Sequence, residues 1–172
     1  MEIIKILNPD DVFWKDYKEL RLQALFEEPQ AFGSSYADES IKSDEEWKKR
    51  LENYKKGEHN WMFFAQVDKK LVGMLGAFQD ATDIEKREAT IIAMFVIEEY
   101  RGKGIAKMLM QRILQELAIK KMAKVKINVN VDQTIALKMY EKFGFVVQDK
   151  VNYMMGDGKY HNEYKMEKML VT

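Results

Sequence analysis

The stretch that most constrains the fold lies between Thr90 and Lys121, where a strand-like run passes through a glycine turn into a helical one. Thr90-Ile91-Ile92-Ala93-Met94-Phe95-Val96-Ile97 is apolar almost without interruption, the pattern of a central strand covered on both faces. From Gly104 to about Lys121, Ile105, Leu109, Ile113 and Leu117, flanked by Ala106, Met110 and Leu114, make a broad helical stripe. Only Glu98-Glu99-Tyr100-Arg101-Gly102-Lys103 separates the two. So short a link starts the helix at the strand's end and gathers unpaired backbone N–H groups and the positive dipole end at one spot. Gly102 and Gly104 remove the Cβ atoms that would block unusual dihedrals or a ligand's approach. Arg101, Lys103 and Lys107 add positive charge. Local physics therefore makes the turn from Arg101 to Ala106 a phosphate site.

Two familiar phosphate loops do not fit it. A Walker loop needs Gly-x4-Gly-Lys-Ser/Thr, whereas here the glycines are two apart and Ile105 follows the second. A dinucleotide fingerprint needs Gly-x-Gly-x-x-Gly behind an early strand, and Lys107 stands where its third glycine would be.

The composition narrows the remaining classes. The 172 residues, 47% of them hydrophobic, read as one domain spanning 1–172, long enough to bury roughly two-thirds of its unfolded surface. Basic and acidic side chains number 28 each and cancel, so bulk charge predicts neither nucleic-acid nor membrane-surface binding. The absence of cysteine removes disulfides, thiolate metal sites and cysteine nucleophiles. His59 and His161 lack a carboxylate or second histidine at ligand spacing, so no metal is expected and both read as surface residues. No apolar stretch approaches the ~20 residues that span a bilayer. Met1–Leu7 reads as a strand without a signal peptide's leader or apolar core, so a cytoplasmic protein is expected.

Elsewhere, Asn8-Pro9-Asp10-Asp11 predicts the start of a helix running to about Phe26, broken by Glu27-Glu28-Pro29. A loop over Gln30–Tyr36 precedes a helix opened by the capping box Ser43-x-x-Glu46 and ending near Gly57, with Trp47, Leu51 and Tyr54 on its buried stripe. Trp14, Trp47 and Trp61 read as core anchors. Trp61–Val67 and Leu71–Phe78 form a hairpin around Asp68-Lys69-Lys70. Val125–Val131 alternates as a strand, about Asp132–Phe143 is a helix closed by Gly144, and Phe145–Lys150 and Tyr160–Leu170 are strands. The order β-α-α-β-β-β-α-β-α-β-β implies an α/β fold of the α+β type with a mixed sheet.

At Arg101-x-x-Gly104-x-Ala106 the chain resembles the GNAT superfamily of N-acetyltransferases, whose acetyl-coenzyme A signature is Gln/Arg-x-x-Gly-x-Gly/Ala after a central strand. Gln133-x-x-Ala136-x-x-x-Tyr140-Glu141-Lys142-Phe143-Gly144-Phe145 is similar to the superfamily's Asn-x-x-Ala-x-x-Leu-Tyr-Glu-Lys-x-Gly-Phe segment, and the element order matches from end to end. The resemblance implies a mostly antiparallel sheet of about seven strands flanked by about four helices, with one central strand splayed from its neighbour. It implies acetyl-coenzyme A as co-substrate, its pyrophosphate against the backbone of Gly102, Lys103, Gly104, Ile105, Ala106 and Lys107, with Arg101 also among the cofactor-binding residues. The pantetheine arm would pair with the backbone of Met94, Phe95 and Val96, Gln133 would stand in for the cofactor-contacting asparagine, and Tyr140 would protonate the leaving thiolate.

Tyr140 also lies on the buried face of its helix, where core packing would suit it equally. Asn128 occupies a strand position at which some relatives carry a catalytic glutamate, so no base carries over. Glu39, Glu88 and His161 are open candidates, as is a chain of waters. Glu27, Glu28, Asp38 and Glu39 read first as a solvated acidic face and second as an attractor of cationic amines. The expected activity is acetyl transfer to the primary amine of a small molecule, amino acid or protein, without a metal. A coenzyme-binding regulatory module without turnover is the alternative. By resemblance, Phe32–Glu39 and Tyr153–Tyr164 would form the acceptor site, and a homodimer through the C-terminal strands is left open.

Overall fold

The protein's structure, a computed structural model, describes residues 3–170. In chain order it comprises β1 (Ile4–Leu7), α1 (Trp14–Glu27), α2 (Tyr36–Ser40), α3 (Asp44–Lys56), β2 (Asn60–Val67), β3 (Lys70–Gln79) and β4 (Glu88–Val96). There follow α4 (Ile105–Ile119), β5 (Lys124–Asn130), α5 (Thr134–Lys142), β6 (Val146–Met154) and β7 (Tyr160–Met169). One seven-stranded sheet runs β1-β2-β3-β4-β5-β7-β6. It is antiparallel throughout except where β4 meets β5. This is the mixed, mostly antiparallel GNAT-like sheet the resemblance implies. Of the expected first strand, Met1 and Glu2 lie outside the described residues.

The helices depart from expectation in two places. Among the described residues there are five rather than about four, because the Gln30–Tyr36 loop leads into α2, a five-residue helix with no apolar stripe to announce it. Its cap is local: Ser35 Oγ accepts from the Asp38 N–H at 3.1 Å. The helix expected from Asn8 to Phe26 is instead split. Pro9–Asp11 is a single 3-10 turn, and Asn8 makes no side-chain cap. Val12 and Phe13 are extended, which buries Val12 in the core. Burial of that side chain outweighs continuity of the helix.

The other signals act locally, as sequence physics requires. Ser43 Oγ accepts from the Glu46 N–H at 3.3 Å while Glu46 Oε2 accepts from the Ser43 N–H at 2.8 Å, which is the complete capping box. Trp47 and Leu51 then bury against α1, where Tyr17 meets Trp47 edge-on at 5.5 Å. Asp68 and Lys69 take φ of +46° and +68°, the twist that closes a two-residue hairpin.

The centre of the sheet positions the site. β4 pairs with β5 over three residues only, Glu88 to Thr90 against Lys124 to Lys126. Glu88 clips that end, bridging to Lys124 at 3.2 Å and to Lys126. Beyond Thr90 the two strands part. On the other side of β4 the register with β3 slips between Met74 and Gly76, and Ala93 sits there at φ +58°. Such a bulge bends its strand and increases local twist. The apolar run is therefore not covered on both faces as its pattern suggests. Ile91, Phe95 and Val96 are buried, but Ile92, Ala93 and Met94 are only half-buried because they border the opening between β4 and β5.

Candidate active site

The opening between β4 and β5 is a cleft of about 1170 Å³. At one end is the glycine turn. Ile97 N–H bonds back to Val72 C=O at 2.9 Å, Glu98–Tyr100 makes one 3-10 turn, and Gly102 and Gly104 follow at φ +76° and +81°. A Cβ at either glycine would meet nothing within 4 Å. Packing therefore does not require glycine there; the backbone conformation does. Gly104 caps α4 without a side chain, and the first helical bond is Met108 N–H to Gly104 C=O at 3.0 Å. The N–H groups of Ile105, Ala106 and Lys107 precede that bond and have no helical acceptor. A diphosphate fits this end: it needs such donors, the positive dipole end and freedom from side chains.

The basic residues of the turn are differently engaged. Arg101 Nε donates to Val96 C=O at 2.8 Å and its Nη2 is ion-paired to Glu28 at the end of α1. That side chain ties turn, strand and helix together. Lys103 lies over the Tyr100 ring at 5.0 Å, and Lys107 lines the cleft. Alternation along β4 carries the Ile97 N–H toward β3, so Val96 points its backbone groups to the splayed side, where Arg101 occupies the carbonyl.

Across the gap, β5 and α5 supply Asn128, Gln133 and Tyr140 to the cleft wall. The Tyr140 ring is buried and packs edge-on to Phe145 at 6.1 Å. Burial pushes its phenol above the usual range, so the proton stays on at neutral pH. β7 contributes Glu163, buried in the same wall and with no hydrogen-bond partner among the described residues. Burial raises its carboxyl above the ordinary glutamate value, with His161 pulling weakly the other way.

Two loops meet at the mouth of the cleft. The Gly156 N–H, between β6 and β7, donates to Phe32 C=O at 2.7 Å. A Cβ at Gly156 would stand 2.2 Å from Ser34 O and 3.1 Å from Phe32 O. Segments more than a hundred residues apart thus touch backbone to backbone at the mouth of the cleft.

The comparisons with known proteins agree with this geometry. The family model described as "Acetyltransferase (GNAT) family" matches residues 14–145. The chain belongs to that family. Among solved structures, yncA of Salmonella typhimurium, bound to its cofactor acetyl-CoA, superposes with a TM-score of 0.80 at 13% identity, covering 100% of this chain and 95% of that one. A GNAT-family acetyltransferase of Streptococcus pneumoniae gives 0.79 at 16% identity over 99% of this chain and 100% of its own. Spermidine N-acetyltransferase of Vibrio cholerae, in complex with CoA and spermine, gives 0.71 at 18% identity over 98% and 95%. In sequence, human N-acetyltransferase 8 is 30% identical over 82 residues, 47% of this chain and 36% of the relative's length, so the match spans about a third of that protein.

Within this GNAT frame, the residues singled out from sequence at Met94–Val96, Arg101, Gly102, Gly104–Lys107, Gln133 and Tyr140 border one cleft, and Lys103 is not among its lining. Three candidate bases do not border it. Glu88 is held below the usual carboxylate range by its hydrogen bond to Lys126 and by Lys124, under the splay. Glu39 is buried, which works to raise it, but Arg50 at 2.6 Å and Lys42 hold it low. His161 is half-buried rather than superficial and pairs with Asp157 at 2.7 Å. His59, also half-buried, meets Gln79. The expected acidic face is likewise not one surface: Glu28 and Glu39 are each ion-paired inward. Glu163 was missed because nothing local marks it; only the pairing of β7 with β5 brings it to the cleft.

Proposed function

We propose that this chain transfers the acetyl group of acetyl-coenzyme A to the primary amine of a small-molecule or peptide acceptor by direct attack. One observation carries the reading: a single cleft has an anion-binding turn at one end, a buried phenol and a buried carboxylate in its wall, and an opening framed by two loops at the other. The bound coenzyme supplies a thioester whose carbonyl carbon accepts the nucleophile.

The chain's residues do the rest. The backbone from Gly102 to Lys107 holds the diphosphate. The backbone of β4 across Met94, Phe95 and Val96, on the splayed side where β5 is not a partner, orients the pantetheine arm, and a strand N–H there polarises the acyl oxygen. The acceptor nitrogen forms its bond to carbon as the carbon–sulfur bond breaks. Glu163 takes the proton from that nitrogen, a task suited to a carboxyl whose pKa burial has raised toward neutrality. Tyr140, kept protonated, gives its proton to the departing sulfur. Gln133 supports the coenzyme from the start of α5.

The alternative, a coenzyme-binding module without turnover, drew its motive from the lack of a base, and Glu163 weakens that motive. Thermal stabilisation by millimolar coenzyme A and thiol release across an amine panel test the proposal. Tyr140→Phe should lower turnover about tenfold or more with coenzyme affinity and fold retained. Absence of coenzyme binding would refute the reading, and binding without turnover on any amine would favour the module.

A further inference from the structure

Arg21 is a charged group of the cleft that acetyl transfer does not use. It lines the cleft from α1, its guanidinium carbon 5.0 Å from the Phe32 ring centroid. Its Nη1 atom has no solvent contact and no hydrogen-bond partner among the described residues. Burial lowers its pKa, yet a guanidinium keeps its proton in proteins, so the charge remains. The anions around it are already engaged. Glu39, the carboxylate that acts on it, bonds to Arg50 at 2.6 and 3.4 Å and pairs with Lys42 at 3.6 Å. Glu28 is taken by Arg101. A half-buried cation whose Nη1 is sealed from solvent with so little compensation is costly until an anion reaches it.

Its position excludes the coenzyme's diphosphate as that anion. Arg21 lies on α1 seven residues before Glu28, the residue that caps the helix's C-terminal end, a separation of about 10 Å along the helix. Glu28 is the one tied to the glycine turn. Arg21 therefore lies well back from the turn, against Phe32, whose carbonyl receives Gly156 at the mouth of the cleft.

We propose that Arg21 holds a carboxylate of the acceptor, which is then a primary amine carrying a carboxylate on a short apolar frame, of the amino-acid class. The inference rests on the acetyl-transfer reading and names the acceptor for it. Stacking on Phe32 orients the guanidinium fork for paired bonds to a planar carboxylate. Phe32, Met94 and Met155 line the same cleft as apolar wall for the acceptor's frame, and Glu163 receives the amine.

Thiol release decides it, measured on matched acceptors: L-phenylalanine against 2-phenylethylamine, L-methionine against its amide, and spermidine as a cation without carboxylate. The wild type should favour the carboxylate member of each pair by about tenfold or more in kcat/KM. Arg21→Met should bring that ratio to within about twofold of one, since the preference is an Arg-dependent difference, while coenzyme affinity by calorimetry stays as in wild type. Arg21→Lys should keep part of the preference, and decides the matter with the wild-type pairs if Arg21→Met does not fold. Equal or better turnover of spermidine and the decarboxylated amines by wild type, or a ratio that survives in Arg21→Met, overturns the assignment while leaving acetyl transfer standing. Failure of the wild type to bind coenzyme would overturn both.

Discussion

Gly156→Ala adds one methyl group where two loops meet, and its consequence can be worked from distances. The new Cβ would stand 2.2 Å from Ser34 O and 3.0 Å from Ser34 C, both backbone atoms that cannot rotate aside. An ordinary contact needs about 3.5 Å, so the loops must separate by roughly 1 Å. That separation also stretches the Gly156 N–H bond to Phe32 C=O, now 2.7 Å. Overpacking of this kind costs about 1–3 kcal/mol, and the lost hydrogen bond about 1 kcal/mol. Working the other way, alanine restricts the unfolded chain and returns about 0.4–1 kcal/mol. The clash wins by about 1–3 kcal/mol, a fall in melting temperature of about 2–12 °C for a chain of this length. Because the strain sits at the mouth of the cleft, acceptor KM should rise while coenzyme affinity holds. Differential scanning calorimetry and a KM for each substrate test both halves. A variant with unchanged melting temperature and unchanged acceptor KM would show that the two loops are not locked together as described.

At the other end, Gly104→Asp places a side chain at φ +81° and a negative charge beside the free N–H groups of Ile105 to Lys107; coenzyme affinity should fall about tenfold or more, and an unchanged Kd by calorimetry would remove the diphosphate from this turn. Glu163, raised by burial, stabilises the fold when protonated; that contribution is present below the unfolded value of about 4.3 and lost as pH rises through the folded pKa. Glu163→Gln should therefore melt higher than wild type at neutral pH, with the difference closing below about pH 4, and should lose the acidic limb of the kcat/KM profile; equal melting at neutral pH contradicts this. Ala93→Val puts a β-branched residue at φ +58° and should destabilise by about 1–3 kcal/mol, read from urea unfolding, whereas Ala93→Gly should be nearly neutral; a neutral valine would mean the bulge is not strained.

Local signals in the sequence read well where a few consecutive residues settle the outcome. The capping box at Ser43, the hairpin turn at Asp68-Lys69, the α4 stripe and the positive φ at Gly144 all follow from neighbours within a turn or two. Errors arose where distant burial decided. Asn8-Pro9-Asp10 carries every mark of a helix start, yet the core's claim on Val12 leaves only a 3-10 turn. The proposed donor end was legible because its chemistry lies within one strand, turn and helix. The proposed acceptor end was not: Arg21, Phe32, Gly156 and Glu163 come together only through sheet order and the contact of two loops.

A single irregularity connects these observations. Had β4 continued its pairing with β5 beyond Thr90, its apolar run would have been a covered central strand and the molecule would have had no cleft. The bulge at Ala93 bends β4 while Glu88 pins its first residues to Lys124 and Lys126, so the strands diverge from a fixed point. Because α4 begins only a few residues past the end of β4, the same divergence aims the helix's free N–H groups along the gap. Arg101 then fixes the angle, bonding the end of β4 and the end of α1 at once. The positions of the glycine turn, the buried phenol and the buried carboxylate around one cavity thus follow from one strand leaving its neighbour, which is why the strand's composition alone misreads its environment.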